Sequence, residues 1–136
     1  MGGFGAIGLG LAGAIGAAIA YPKEVRVAIL GDGGFMMHLS ELATAVSREL
    51  PLVVLVYNDG AYGAEHTTFE RHGVNTDHSL IAWPEFAPIA TALGAKAITI
   101  RKLEELDELT ELTTNLRGPL FVDIKLDPNV SVVPHS

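Results

Sequence analysis

The sequence contains no cysteine, and this absence excludes several kinds of site. Without thiols the chain can form no disulfide framework, no thiolate metal site and no cysteine nucleophile. The same absence is compatible with a reducing compartment, and we expect a cytoplasmic protein.

Basic residues are also scarce, since 9 Lys and Arg stand against 16 Asp and Glu and give a net charge of −7. Surfaces that bind nucleic acid or anionic membranes need concentrated positive charge, so we expect neither partner. Residues 1–20 carry no charge and are long enough to cross a bilayer, but they are rich in glycine and no basic residue precedes them. We therefore expect them to form a close-packed helix inside a folded domain.

The sequence does contain a regular alternation of apolar strands and amphipathic helices. Its 136 residues suffice for one domain, which we place at 1–136. The spacing of apolar residues predicts strands at 25–31, 52–58 and 95–100 and within 118–126, and helices over 38–50, 84–93 and 103–116. Strands that are apolar on both faces and separated by helices indicate an α/β fold, a doubly wound parallel sheet with helices on both faces.

Two further segments have a less regular pattern. The polar stretch 60–83 shows no clear period, and long segments of this kind in a compact domain are usually functional. Gly8, Gly10 and Gly13 match the dinucleotide motif G-x-G-x-x-G, but that motif also requires a preceding strand, and residues 1–7 are too short and glycine-rich to supply one. A nicotinamide-dependent oxidoreductase therefore stays as a weaker alternative.

Glycine and acidic residues follow the first two predicted strands. Residues 31–34 read GDGG and residues 58–63 read NDGAYG. Ligands of parallel sheets bind at the carboxyl ends of strands, and glycines there let backbone N–H groups approach an anion. An acid would repel a phosphate unless a cation lies between them, and Asp32, Asn58 and Asp59 offer the oxygen ligands that Mg²⁺ prefers. The pattern predicts a diphosphate held through a divalent metal.

This motif resembles a known fingerprint. GDG followed about 25 residues later by N-D is similar to the thiamine-diphosphate motif GDG-x(24–27)-N-[ND]. The wider sequence resembles the C-terminal thiamine-diphosphate-binding domain of the acetolactate synthase, benzoylformate decarboxylase and pyruvate decarboxylase family, including GAIGLGLAGAIGAAIA near the start and GPLFVDIKLDP near the end. The resemblance implies that the chain starts after the first strand and helix of that domain, as a fragment or as a subunit of a split enzyme.

The resemblance also implies which residues hold the cofactor and Mg²⁺. In such enzymes two side chains and one backbone carbonyl bind the metal, which here implies Asp32, Asp59 and Ala61, with Asn58 as a ligand if the register is shifted. Ile7 matches the aliphatic residue that bends the cofactor, with core packing as the alternative, and Gly5 would accept a hydrogen bond from its amino group. The other residues implied to line the cofactor are Gly31, Gly33, Gly34, Tyr62 and Gly63.

Two residues of the polar stretch are candidates for catalysis. Glu65 lies 33 positions after Asp32, a register similar to that of the catalytic glutamate of pyruvate and indolepyruvate decarboxylases. Its alternative is an exposed glutamate of a loop. His66, together with His72 and His78, could act as an acid–base group near neutral pH, although three histidines in one polar loop are more often solvated.

The function implied by the resemblance is thiamine-diphosphate- and Mg²⁺-dependent decarboxylation or carboligation of a 2-oxo acid. In this family a glutamate on a separate pyrimidine-binding domain activates the cofactor across a dimer interface. We therefore expect such a domain and a homo-oligomer as partners, and an isolated chain that does not turn over. A binding module that keeps the cofactor fold without chemistry is the other alternative.

Overall fold

The computed structural model describes residues 6–130, which form a four-stranded parallel sheet with helices on both faces. The strands, in the spatial order β1-β2-β4-β3, are β1 (Arg26–Gly31), β2 (Leu52–Asn58), β3 (Lys96–Ile100) and β4 (Leu120–Lys125). The α-helices are α1 (Leu9–Ala20), α2 (Asp32–Met37), α3 (Glu41–Ser47), α4 (Gly63–Arg71), α5 (Phe86–Ala92) and α6 (Glu108–Thr113), and short 3-10 helices span Asp77–Ser79 and Leu103–Asp107. The predicted α/β fold with a parallel sheet is confirmed.

The sheet separates two apolar cores of unequal size. On one face, Leu11 of α1, Leu42 of α3 and Phe86 of α5 pack against strand residues such as Val54. On the other face, Leu106 of the 3-10 helix and the leucines of α6 pack against a smaller cluster around Val122. Alternate residues of β2 and β4 therefore enter different cores, which is why both strands are mainly apolar.

The outer face of β1 is not covered. Val27 and Ile29 are 58% and 61% exposed, so the prediction that every strand is buried on both faces is wrong for β1. The smaller core lies over β2, β3 and β4, and among residues 6–130 no helix packs on β1 from that side. One face of an edge strand is thus left open beside the carboxyl end of the sheet.

The helix predicted over 38–50 is shorter in the structure, and a second helix that was not predicted precedes it. α2 begins at Asp32, directly after β1, and α3 begins only at Glu41. Between them, the amides of Glu41, Leu42 and Ala43 bond to carbonyls three residues back. Leu39, Leu42, Val46 and Leu50 pack in the larger core as predicted, whereas Ala43, predicted on the same face, is exposed and Ala45 is buried.

The polar stretch 60–83, read from the sequence as a loop, contains α4. The only buried side chain of this helix is His66, so hydrophobic periodicity could not reveal it. Glu65 in its first turn and Arg71 in its last turn complement the helix dipole. Local electrostatics and tertiary contacts, rather than an apolar stripe, stabilise this segment.

The helix predicted over 103–116 is shorter and less regular than expected. Its first five residues form the 3-10 helix, and only Glu108–Thr113 are α-helical. Leu103, expected on the apolar stripe, is 77% exposed, whereas Leu106, Leu109 and Leu112 pack against the smaller core.

The predicted strand bounds at β2 agree with the structure, and the bounds of the other strands agree to within two residues. No helix in residues 6–130 is both long and apolar enough to cross a membrane.

Candidate metal and diphosphate site

The two glycine-rich motifs meet at the carboxyl ends of β1 and β2. These strands pair in parallel with Gly31 opposite Tyr57, so residues 31–34 (the β1 turn) and residues 58–63 (the β2 turn) lie side by side. Asp32 of the β1 turn and Asp59, Ala61 and Gly63 of the β2 turn all line one cavity of about 840 Å³, as does Gly31. The two stretches that the sequence predicts to share one site therefore do lie together in the structure.

Asp32 is the most buried acid of this cavity, with only 3% of its surface exposed. Its Oδ1 accepts a hydrogen bond of 2.6 Å from the Gly33 amide, and its Oδ2 accepts one of 2.9 Å from the Gly60 amide. Burial raises the pKa of Asp32 above its ordinary value of 3.8, the charge of Asp59 raises it further, and the two amides partly offset the rise. A nearby cation would therefore favour the charged form of Asp32.

Trp83 packs beside this carboxyl group. Its ring contacts the larger core and lies 6.1 Å from the ring of Phe86. The indole N–H lowers the pKa of Asp32 slightly, yet Nε1 is buried and makes no hydrogen bond of ordinary geometry within the described residues. The side of Asp32 that faces the protein thus carries only N–H groups.

Asp59 is held less firmly than Asp32. It is half-buried, and its Oδ1 accepts a hydrogen bond of 3.0 Å from the amide of Ala61. Gly60 between them has φ +68°, a conformation that favours glycine. Across residues 6–130 we find no hydrogen bond to the Ala61 carbonyl, so this oxygen is available to a ligand.

The rest of the β2 turn is pinned to the segment before Trp83. The Tyr62 amide donates to the Ser79 carbonyl at 2.8 Å, and the Ile81 amide donates to the Gly60 carbonyl at 2.7 Å. At Gly63 a Cβ atom would lie 2.8 Å from Oδ2 of Asp59, so glycine leaves room for the Asp59 carboxylate. These contacts limit the directions in which Asp59 can point.

Asn58 points away from the cavity. Its side chain is 4% exposed and lies on the face of the larger core, where Nδ2 donates a hydrogen bond of 2.9 Å to Oδ1 of Asp123. It does not line the cavity that Asp32 and Asp59 share. The geometry therefore favours the register with Asp59 and Ala61 as ligands over the register with Asn58.

The residues predicted to surround the diphosphate lie close together. A Cβ atom on Gly33 would lie 2.6 Å from the Tyr62 ring, and one on Gly34 would lie 3.7 Å from Cγ2 of Ile7. Ile7 is 60% exposed, so the alternative that it packs in the core is wrong. Its role in bending the cofactor stays a prediction, and Gly5 lies outside the described residues.

The candidate catalytic residues do not share the cavity. Glu65 is exposed in the first turn of α4, and neither Glu65 nor His66 is among the described residues that line the cavity. His66 is 7% exposed, and its Nδ1 lies 2.9 Å from Oγ of Ser79. Since that hydroxyl donates to the Thr76 carbonyl at 2.6 Å, the imidazole Nδ1–H is the donor in the first pair. The expectation of a solvated side chain is wrong for His66, while His72 and His78 are exposed as expected.

The glycines of the dinucleotide-like motif have a packing role in the structure. A Cβ atom on Gly10 would lie 2.4 Å from Cδ2 of Leu30, so this glycine allows α1 to approach β1 closely. Gly8, with φ +91°, precedes α1 and packs against the His38 ring. Residues 6–8 contain no strand that could precede a dinucleotide-binding turn.

Asp123 is fully buried in β4 and was not among the residues predicted from the sequence. The available signal was an acid inside the apolar run LFVDIKL, because a charged residue in a strand that is buried on both faces needs a partner. Within residues 6–130 no three His, Asp or Glu side chains are grouped closely enough to hold a metal ion. A metal between Asp32 and Asp59 would therefore need carbonyl and ligand oxygens as well.

Comparison with known proteins gives a consistent picture. The family model "Thiamine pyrophosphate enzyme, C-terminal TPP binding domain" matches residues 1–124. The mitochondrial acetolactate synthase catalytic subunit of Saccharomyces cerevisiae is 35% identical over 136 residues, covering 98% of this chain and 20% of that protein. The acetolactate synthase large subunit of Buchnera aphidicola is 33% identical over 138 residues, covering 98% of this chain and 24% of that protein. The chain thus spans about a fifth to a quarter of the length of these relatives.

A solved structure agrees in fold. The thiamine diphosphate-dependent 4-hydroxybenzoylformate decarboxylase of Rhodococcus jostii RHA1 matches with a TM-score of 0.81 at 21% identity. The match covers 89% of this chain and 23% of that one. At this level of identity the likeness concerns the fold alone.

Proposed function

The chain belongs to the family of thiamine pyrophosphate enzymes, as their C-terminal TPP-binding domain, and from this premise we propose that its β1 and β2 turns hold the diphosphate through Mg²⁺. One observation carries the proposal: Asp32, Asp59 and Ala61 line a single cavity at the carboxyl ends of two parallel strands. Neither acid has a basic side chain as a hydrogen-bond or ion-pair partner within residues 6–130. Two neighbouring carboxylates without a cation are the arrangement that a divalent metal would stabilise.

The residues present fit the coordination of Mg²⁺. This ion takes oxygen ligands in octahedral geometry and is usually held by one or two carboxylates together with substrate phosphates and water. Asp32, Asp59 and the unbonded Ala61 carbonyl would supply three oxygens, and diphosphate oxygens and water would supply the rest. The raised pKa of Asp32 supports this assignment, because a metal ion would offset both its burial and the charge of Asp59.

The surroundings also fit a diphosphate. At the start of α2, Gly34 is partly exposed and Gly33 is buried against the Tyr62 ring, and Gly63 lies at the end of the β2 turn. When bound, thiamine diphosphate supplies a nucleophilic carbon that adds to a 2-oxo acid and accepts the electrons left by the departing CO₂. The part of this chain is to bind and orient the cofactor, with Ile7 beside Gly34 as the residue that bends it.

For the whole protein we propose decarboxylation or carboligation of a 2-oxo acid, supported by the acetolactate synthases among the relatives. The chain spans only part of their length, so the activating glutamate is assigned to a pyrimidine-binding domain of the parent chain or of another subunit in a homo-oligomer. Glu65 is the candidate for a group near the substrate, since the start of α4 follows the β2 turn directly. We expect the isolated chain to bind cofactor weakly and not to turn over.

The test is the coupling between metal and cofactor in thermal unfolding. Because a diphosphate that faces two carboxylates is repelled without a cation, Mg²⁺ alone and thiamine diphosphate alone should raise Tm little. Both together, at about 100 times Kd, should raise it by roughly 5–10 °C. Thiamine without the diphosphate, with the same Mg²⁺, is the matched control and should give no coupled shift.

Two outcomes would contradict the proposal. An equal shift from thiamine diphosphate in excess EDTA would rule out a metal bridge. A shift from NAD with none from thiamine diphosphate would favour the oxidoreductase alternative. A coupled shift without any activity of the complete enzyme would instead favour a binding module.

A further inference from the structure

A buried carboxylate outside the cavity connects three elements behind the site. Asp123 lies in β4 with no exposed surface. Its Oδ1 accepts the hydrogen bond from Nδ2 of Asn58 at 2.9 Å, and its Oδ2 lies 2.9 Å from Nζ of Lys125 and 3.4 Å from the Phe86 amide. One side chain thus joins the end of β2, the end of β4 and the start of α5.

Stability alone gives no reason for an acid at this position. Burying a charged group costs several kcal/mol, and replacing a buried ion pair by apolar residues is often neutral or stabilising. The neighbouring strand residues Phe121 and Val122 are apolar and fully buried. What the carboxylate adds is a fixed geometry for the groups that donate to it, above all the carboxamide of Asn58.

Asn58 is the last residue before the ligands of the β2 turn. Its main chain is held by β4 as well, since the Leu126 amide donates to the Asn58 carbonyl at 2.8 Å and Asn58 lies opposite Lys125 in the sheet. With side chain and main chain both fixed on β4, Asn58 cannot rotate independently of the sheet. Asp59 follows directly, and its half-buried carboxylate has only the Ala61 amide as a hydrogen-bond partner in the described part of the chain.

From these contacts we infer that Asp123 is a positioning residue, which holds the Asn58 carboxamide and thereby fixes the β2 turn so that Asp59 and the Ala61 carbonyl face the metal. The inference rests on the proposed function for its consequence and on the hydrogen bonds alone for its geometry. Asp123 does not line the cavity and would touch neither metal nor cofactor. Lys125, 21% exposed, balances its charge from the solvent side.

Three variants separate the geometry from the charge. Asp123→Ala and Asn58→Ala remove the hydrogen bond from either side, so that one still informs if the other fails to fold. Asp123→Asn keeps an oxygen that can accept from Asn58 but loses the charge opposite Lys125, whose ammonium group can turn towards Glu85, 3.7 Å away. Arg101→Gln is the matched control, because it breaks the exposed ion pair with Glu85 and leaves Asp123 untouched.

The first measurement needs no ligand. Hydrogen exchange followed by NMR should show the amides of Gly60 and Ala61 exchanging about tenfold faster in both alanine variants, with Asp123→Asn and Arg101→Gln close to the unmodified chain. The amide of Ile15 in α1 reports general stability and should change little. Faster exchange at Ile15 by the same factor, or no change at Gly60 and Ala61, would overturn the inference.

The second measurement is the Mg²⁺ concentration that gives half of the thermal stabilisation by saturating thiamine diphosphate. It should rise about tenfold in Asp123→Ala and Asn58→Ala and return close to the unmodified value in Asp123→Asn. A lower Tm without ligand and an unchanged Mg²⁺ requirement would show a merely structural role and overturn the inference. If the unmodified chain binds no cofactor, the proposed function fails, while hydrogen exchange still decides whether Asp123 fixes the turn.

Discussion

The β1 turn and the β2 turn present similar residues to one cavity but are built in different ways. In the β1 turn, Asp32 is itself the first residue of α2 and is 3% exposed, with both carboxylate oxygens bonded to amides. In the β2 turn, three residues separate Asp59 from the start of α4 at Gly63, and its carboxylate is half-buried with one amide partner. One acid is fixed by the strand–helix junction and the other by contacts from distant segments.

Because of this difference, we expect the two acids to respond differently to mutation. Asp32 is desolvated by burial and both of its carboxylate oxygens accept amide hydrogen bonds, so its position should change little and its charge is costly. Asp59 is half-buried and depends on the 79–81 segment and on Asn58, so its position should be easier to change. The predictions below test this contrast, beginning with the largest expected effect.

The largest difference between the two turns should appear in cofactor binding when each carboxylate is removed in turn. Asp32→Ala should weaken Mg²⁺-dependent binding of thiamine diphosphate by more than about a hundredfold, a larger loss than supporting residues around metals usually cause. Asp59→Ala should weaken it by about tenfold, because water can reach the vacated position. Isothermal titration calorimetry measures both, with the exposed acid Asp107 changed to alanine as the charge-matched control. Unchanged binding in Asp59→Ala would return Asn58 to the list of metal ligands.

A change beside Asp59 should have a smaller effect. In Gly63→Ala the new Cβ would lie 2.8 Å from Oδ2 of Asp59 and displace this carboxylate, so the half-saturating Mg²⁺ concentration should rise by about three- to tenfold. Stability without ligand should stay equal or rise, because alanine is the better helix former at the start of α4. Gly16→Ala in α1, where a Cβ meets nothing within 4 Å, is the control. If Gly63→Ala lowered stability and left Mg²⁺ binding unchanged, the role assigned to Gly63 would be wrong.

The smallest expected effect concerns the electrostatic link between the turns. Asp59→Asn removes the charge that raises the pKa of Asp32, so this pKa should fall, while burial, the first cause, keeps it above 3.8. The variant should still bind Mg²⁺, and its binding of thiamine diphosphate should depend less strongly on Mg²⁺ than in the unmodified chain. NMR titration of the Asp32 carboxyl carbon measures the shift, and a pKa below 3.8 in the variant would show that burial is not the main cause.

The same pKa shift sets a pH dependence of stability with a definite sign. The folded chain binds the Asp32 proton more tightly than the unfolded chain, so this contribution is complete below pH 3.8 and is lost as the pH rises through the folded value. In Asp59→Asn the pKa of Asp32 in the folded chain should lie closer to its value in the unfolded chain. The unfolding free energy of this variant should therefore fall less with rising pH than that of the unmodified chain. Saturating Mg²⁺ and thiamine diphosphate should reverse the slope, since metal and proton compete for one carboxylate.

Much of this architecture could be predicted from particular residues. The run LVVLVYN gives β2 with the bounds seen in the structure, because a strand buried on both faces is apolar throughout. Asp32, Asp59 and Ala61 could be placed together because parallel strands bring their carboxyl ends to one edge. α4 could not be found, since its one buried residue is His66 and no apolar stripe marks it.

The amino-acid pattern alone predicts the four strands in their chain order, the parallel sheet and the pairing of two acidic glycine turns at its edge. These features depend on local periodicity and on backbone chemistry, which neighbouring residues specify. Only the folded structure shows that Asp32 is desolvated, that Asn58 donates a hydrogen bond to Asp123 and that Ile29 is exposed. Burial and hydrogen bonding between residues 28 to 65 positions apart depend on how the elements pack, and no local pattern in the chain records that packing.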